Sequence, residues 1–357
     1  MTVRPAARLS LACNNRCVFC SQDGLSGERS LEEQLEAARR AGSEVTFVGG
    51  EPTLDARLPE HVVAARAMGF ARIGLQTNGR RLAEVGLAAS LARAGLTDVH
   101  LSVHGTEAAV HDYHTGVEGS FDAALAGLAA ARASGLAVVV ATVLTRSNFR
   151  SLSGLPKMLA SRGVAGWMVA APACGGRLAR EFDRLMPRLG LALPFALKAL
   201  AAGEALGLDV WISGVPRCLV GPYGRWLLPE LPRSFGAACN DCPARSACPG
   251  LDAAYLGRFG GDELGPARAR MAAPIEPQTR DLRTARMFVG PGEIAAALPV
   301  AEKRPASAKV SLPMAGKVRP AVAEATAGSP RRSGEALREI FPELFDGGGS
   351  PPREGRG

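Results

Sequence analysis

Short apolar runs alternate with longer Ala- and Leu-rich stretches over roughly the first two hundred residues. Runs at 8–12, 44–48, 72–76, 98–103, 137–144 and 166–170 have the length and side-chain content of strands. Between them, 31–41, 58–68, 82–94, 121–134 and 152–161 carry helical composition and spacing. Gly42, Gly69, Gly95 and Gly135 stand where helix C-terminal caps belong. Strict alternation, with strands that are almost continuously apolar, predicts a parallel sheet joined by right-handed crossovers. Six such units are too few for an eight-fold barrel, which leaves a partial (β/α)6 barrel or a doubly wound sheet. Segments 191–206 and 208–212 read as one further helix and strand.

The periodicity fades after residue 213. From 214 to about 261 the chain is rich in Pro, Gly and Cys, a composition that buries little and needs a covalent element to order it. Residues 265–301 look mixed and weakly helical. From 302 a Pro-, Ala-, Arg- and Lys-rich tail is expected to be disordered. It holds ten Lys and Arg against seven Asp and Glu, so most of the chain's net charge of +8 lies elsewhere and is spread out. That distribution makes nucleic acid an unexpected partner. One amphipathic island, 335–345, places Leu337, Ile340, Phe341, Leu344 and Phe345 at helical spacing around a kinking Pro342. It reads either as a docking motif for a partner or as a helix packing on its own domain.

Apolar residues make up 47% of the 357 and aromatics only 5%, so aliphatic side chains and Ala must build the core. This composition excludes collagen, coiled coil and whole-chain disorder. No uncharged apolar run reaches the ~18 residues of a membrane span, so no membrane partner is expected. Arg4 and Arg8 precede no apolar core of a secretory signal, and the "LSLAC" ending at Cys13 lacks one too, which points to the cytoplasm.

The eight cysteines fall as a triplet, a singleton and a quartet: 13, 17 and 20; 174; 218, 239, 242 and 248. Clustering in a chain without a secretory signal points to metal or redox chemistry. The triplet, C-x3-C-x2-C in "CNNRCVFC", can hold three irons of a cubane [4Fe–4S] cluster and leave the fourth open to a small molecule. A zinc knuckle would need a fourth ligand, and none lies nearby.

With Phe19 before its last cysteine, this motif resembles that of the radical S-adenosylmethionine (SAM) superfamily. "GGEPT" at 49–53 resembles the GGEP motif of that family, "TNG" at 77–79 ends the third strand, and "LSVHG" at 101–105 ends the fourth. The resemblance implies a partial TIM barrel over 1–213 with its site at the C-terminal mouth of the strands. It implies a [4Fe–4S] cluster on Cys13, Cys17 and Cys20, and SAM held near Gly49, Gly50, Glu51 and Pro52 by its amino group. Thr77, Asn78 and Ser102 would lie along SAM, with Val143 and Thr145 by the adenine and Asn148 near the nucleoside. The implied reaction is reductive cleavage of SAM to a 5′-deoxyadenosyl radical that abstracts hydrogen from substrate. An electron donor such as flavodoxin or ferredoxin would supply the electron.

Cys218, Cys239, Cys242 and Cys248 give C-x20-C-x2-C-x5-C, which resembles the SPASM and twitch extensions of the same superfamily. SPASM places a further cysteine where Asp252 stands. The resemblance therefore implies a reduced, twitch-like domain over 214–301 with one fully ligated auxiliary [4Fe–4S] cluster; a four-thiolate zinc site is the alternative.

Cys174, just past the sixth strand, reads as a hydrogen donor, an extra ligand or a plain buried thiol. His104, His111 and His114 sit close enough for a mononuclear metal site. Otherwise His104 is the residue expected to touch substrate, and His111 and Asp112 tie down the next loop. Glu51 reads as structural rather than acid–base. Arg16 and Arg177 either hold an anionic substrate or are solvated. Three functions follow: a radical SAM enzyme modifying a peptide or protein, one acting on a small metabolite or nucleotide, or a non-enzymatic iron–sulfur or zinc scaffold.

Overall fold

The computed structural model describes residues 4–26, 29–228, 230, 233–265 and 284–288. Seven strands, β1 (Ala6–Arg8), β2 (Glu44–Val48), β3 (Arg72–Thr77), β4 (Asp98–Ser102), β5 (Ala137–Val143), β6 (Gly166–Ala170) and β7 (Asp209–Ser213), form one sheet in sequence order. Every pairing is parallel. The described residues show no pairing of β1 with β7, so the sheet is an open partial barrel. The further strand expected after the six β/α units is thus part of the same sheet. The run at 208–212 joins the sheet edge, with Ala170 in register with Ser213.

Helices α1 (Leu31–Ala41), α2 (Leu58–Ala67), α3 (Leu87–Ala94), α4 (Ala108–Thr115), α5 (Ser120–Ala133), α6 (Leu155–Ala160), α7 (Gly176–Arg180), α8 (Phe182–Leu185), α9 (Leu189–Ala205), α10 (Arg217–Val220) and α11 (Ala253–Phe259) complete the regular structure. Ser30 caps α1 by accepting from the Glu33 N–H. Helix α5 begins at Gly119, which has no side chain to cap it. Asp112 of α4 substitutes, its carboxylate accepting from Gly119 N, Ser120 Oγ and Phe121 N. The expected helices at 82–94 and 152–161 each begin as a 3-10 turn, Arg80–Ala83 and Phe149–Gly154, before α3 and α6. Helix α4 was hidden in a His-rich stretch with little apolar spacing.

Side chains alternate across the sheet. Val99 and Leu101, Val138 and Val140, and Trp167 and Val169 join the helices in the main core. Val139, Ala141, Met168, Ala170 and Trp211 face inward and form a second apolar cluster inside the barrel. Residues 284–288 plug that interior. Ala285, Met287 and Phe288 pack into the inner cluster, and Thr284 Oγ1 accepts from the Trp211 indole and donates to Asp209. Below β3 and β4, Arg4 makes a buried two-point ion pair with Asp98 at 2.6 and 3.0 Å. Gly74 makes room for it, since a Cβ there would lie 2.7 Å from Arg4 Nη1.

The Cys-rich segment packs on the same core through Leu251 and Tyr255. The Tyr255 hydroxyl accepts from Leu189 N and donates to Glu263. No helix is long and apolar enough to cross a membrane, among the described residues. The tail from 302, with its 335–345 island, and nearly all of 265–301 lie outside the described residues.

Candidate functional site

The loop between β1 and α1 carries the cysteine triplet. It has no regular structure, and its order comes from four neighbours. At the end of β2, Gly50 N and Glu51 N donate to Ser10 O and Ala12 O, both at 2.8 Å. The approach is so close that a Cβ on Gly49 would lie 2.5 Å from Ser10 O, and one on Gly50 2.3 Å from Ala12 O. After β3, the Asn78 amide donates to Asn14 Oδ1, and Arg80 donates to Asn14 O and Asn15 Oδ1. At the end of α4, Thr115 O and His114 O accept from Arg16 N and Val18 N. After β6, Arg177 N donates to Cys20 O, and its guanidinium bonds Cys17 O and Asp23. The first strand stops at Arg8, short of the expected residue 12, because Ser10 and Ala12 give their carbonyls to Gly50 N and Glu51 N of the turn instead.

Cys13, Cys17 and Cys20 thereby stand in the wall of one cavity of about 430 Å³ at the C-terminal mouth of the barrel. Desolvation, then the neighbouring Cys20 and Cys13, push the Cys17 thiol up to about 12. Burial also raises Cys13. Three cysteine sulfurs facing one cavity are a soft donor set of the kind that holds an iron–sulfur cluster. The donor set therefore fits the cluster.

Gly49, Gly50, Thr77, Asn78, Ser102 and Val143 line the same cavity. Glu51 and Pro52 do not. The Glu51 carboxylate is fully buried and accepts from Thr53 N, Thr53 Oγ1, Thr77 Oγ1 and Asn78 N, tying the β2 and β3 turns together. That is the structural role expected of it. Asn148 is also away from the cavity. Its amide oxygen accepts from Thr145 N and its nitrogen donates to His104 O and Val143 O, so it braces the backbone behind Val143. Thr145 is buried beside it and pairs with His114 Nε2.

His104 lines the cavity, with its ring edge-on to Phe19 at 4.7 Å. Burial, with His111 and His114 adding, holds it well below 6.5. His111 Nδ1 accepts from His104 N, and His114 Nδ1 bonds Val110 O. Among the described residues no three His, Cys, Asp or Glu converge as ligands of a single ion. Arg177 lines the cavity, but its guanidinium clamps the cysteine loop. Cys174 lines a separate surface cleft beside α8 and α11. Its N–H donates to Asp252, and burial with that carboxylate pushes its thiol up to about 12. The sequence reading missed Arg80, His100 and Gln76. The alternation Asp98, His100, Ser102 within an apolar strand was the available signal for a polar inner face.

Cys218, Cys239, Cys242 and Cys248 surround one small cavity beside the barrel. Cys248 Sγ accepts from Arg217 N and Gly250 N at 3.3 and 3.5 Å. Burial raises the Cys218 thiol, as do nearby Cys248 and Cys239.

Residues 8–151 match the family model described as the radical SAM superfamily. The chain is 32% identical over 152 residues to a probable GTP 3′,8-cyclase of Sulfolobus acidocaldarius, covering 40% of this chain and 48% of that one. It is 33% identical over 155 residues to Fe-coproporphyrin III synthase of Methanosarcina barkeri, covering 41% and 38%. The chain thus spans less than half the length of these curated relatives. Among solved structures, Streptococcus suis SuiB bound to S-adenosylmethionine matches with a TM-score of 0.48 and 15% identity, covering 59% of this chain and 51% of that one. The matched segment begins in β1 and takes in the cysteine loop, the Gly-Gly turn and β5. Over residues 8–151 the chain therefore carries a radical SAM domain.

Proposed function

We propose that the chain reductively cleaves SAM and abstracts hydrogen from a peptide or protein substrate. The observation that carries the radical reading is the convergence of Cys13, Cys17 and Cys20 with Gly49, Gly50, Asn78 and Ser102 on one cavity. When bound, the cluster and SAM supply a one-electron cleavage that yields a 5′-deoxyadenosyl radical. The chain's own residues hold and shield it. Gly50 N and Glu51 N are committed to the cysteine loop and Glu51 O to Leu54 N, so the Gly49 and Gly50 carbonyls would be the ones to meet the ammonium of SAM. Asn78 and Ser102 present polar groups at the strand ends, and Val143 offers an apolar face to the adenine. Asn148 fixes that face from behind. His104 and Phe19 close the wall against water.

Cys218, Cys239, Cys242 and Cys248 would ligate an auxiliary [4Fe–4S] cluster, in a SPASM- or twitch-like segment 214–301 that follows the barrel 1–213. None of the eight cysteines is paired in a disulfide, which suits the reducing cytoplasm and an electron donor of the flavodoxin or ferredoxin type. A nucleotide or small metabolite is the second reading, favoured by the name of the cyclase relative. A triphosphate needs several cations. Among the described wall residues the arginines are Arg16 and Arg177, and the latter is held by Asp23 and Cys17 O.

Anaerobically reconstituted protein, given dithionite and SAM, should form 5′-deoxyadenosine and bind about eight irons per chain. Deuterium passing from a labelled candidate peptide into 5′-deoxyadenosine supports the peptide reading. Transfer from a labelled nucleotide instead replaces it. Four irons with stoichiometric zinc would remove the auxiliary cluster, and no 5′-deoxyadenosine under any condition would remove the radical reading.

A further inference from the structure

Below the rim, the cavity wall carries a polar pair that none of these roles uses. His100 on β4 and Gln76 on β3 are register partners, and both line the cavity. Each lies two residues before a rim residue, Ser102 and Asn78, hence about 7 Å deeper in the barrel. His100 is 2% exposed, and among the described residues neither ring nitrogen has a hydrogen-bond partner. A buried, unpaired imidazole is costly, and buried polar groups are ordinarily bonded. The edge of Phe288 packs on the ring at 5.2 Å, and Asp98, next on the same face, is held by Arg4 and Thr97.

We propose that His100 and Gln76 form a seat in the substrate cavity for an uncharged group that both donates and accepts hydrogen bonds, of the carboxamide class. This rests on the reading of the cavity as a substrate site. A neutral imidazole and a carboxamide each offer both a donor and an acceptor, which matches an amide edge on both sides. Burial, opposed only in part by Asp98, pushes His100 down to about 4, so the ring is uncharged at neutral pH. The Arg4 charge beneath is cancelled by Asp98. Arg8 belongs to the same layer but is not part of the cavity wall, and its guanidinium reaches Gln22. Val139, the β5 register partner of His100, is apolar, and so are Ala141 and Met168 at the level of Ser102 above it. Neither His100 nor Gln76 itself offers an anion a countercharge. An Asn or Gln side chain, or a peptide group, would be accepted.

The test uses the reconstituted holoenzyme with SAM bound and its histidines ¹⁵N-labelled, with propionamide as probe and propionate and inorganic phosphate as comparators. Propionamide should move the His100 ring resonances saturably, while His61, outside the barrel, stays still. Gln76→Leu, or Gln76→Met should the first fail to fold, should weaken the probe about tenfold. No saturable shift, equal binding of propionate or phosphate, or unchanged affinity in the Gln76 variant would each overturn the proposal. The same preparation is assayed for 5′-deoxyadenosine. Amide binding without SAM cleavage would sink the radical reading and leave the seat, whereas cleavage without amide binding would sink the seat alone.

Discussion

Substituting Gly50→Ala tests how the cysteine loop is held. The new Cβ would lie 2.3 Å from Ala12 O and 2.4 Å from Leu11 O, both backbone atoms of the loop itself. Ordinary contact requires about 1 Å more, so the loop must part from the turn. Parting stretches Gly50 N–H to Ser10 O and Glu51 N–H to Ala12 O, now at 2.8 Å, beyond hydrogen-bonding range. Each unmade bond at a partly buried site costs about 1–3 kcal/mol, so the variant should lose about 2–6 kcal/mol, a large share of a typical domain's stability. Urea unfolding under anaerobic conditions reads the loss, and iron analysis reads whether the triplet still holds its share. The control is Gly42→Ala, where a Cβ meets nothing within 4 Å. A Gly50→Ala protein with the wild-type midpoint and full iron would refute the claim that the glycine pair exists for this close approach.

Asp98→Leu strands the buried Arg4 charge and should cost about 3–5 kcal/mol, whereas pairing it with Arg4→Met should restore most of that; denaturant midpoints of the single and double variants decide it. Arg177→Ala removes the clamp on Cys17 O and Asp23, so the triplet should lose iron to a chelator faster than wild type while the quartet's iron stays; equal loss rates count against the clamp. Lowering pH should destabilise the fold. Burial pushes His100 and His111 from 6.5 to about 4, so the unfolded chain takes up protons near 6.5 that the folded chain refuses until about 4. Stability present above that window is lost through it, by up to about 3 kcal/mol per ring, and urea midpoints that do not move between neutral and mildly acid pH would contradict this. Cys239→Ala should lower total iron by about half while 5′-deoxyadenosine formation without substrate persists; its complete loss would mean the quartet also serves the first step.

Much of this architecture is legible in the chain. Strand–helix alternation with apolar strands declares a parallel sheet, and C-x3-C-x2-C followed by Gly-Gly-Glu-Pro marks where its mouth must be. The groups that hold the cysteine loop are less visible. Arg80 and Arg177 look like any surface arginine until the fold brings residues 14 and 17 to them. Asn148 shows a similar limit. Its place after the fifth strand suggests a ligand contact, yet its amide is occupied by three backbone groups. The floor of the barrel is the least legible part. Residues 284–288 are few, weakly periodic and far along the chain from β4–β7, and only long-range packing tells Phe288 that its neighbour is His100.

That floor has a consequence for how the protein is made. The ribosome releases Arg4 first, and the sheet can be complete once Ser213 has emerged. Phe288 follows 75 residues later. At ordinary translation rates the barrel then waits about 4–15 s with its interior unsealed from below. During that interval the inner faces of β5–β7 are wet, and water can reach His100 from both ends. A stall or truncation between residues 213 and 284 would therefore deliver a chain whose sheet is intact but whose inner apolar cluster is exposed. Chaperone capture would recognise such a chain although every cysteine up to Cys248 could already be in place.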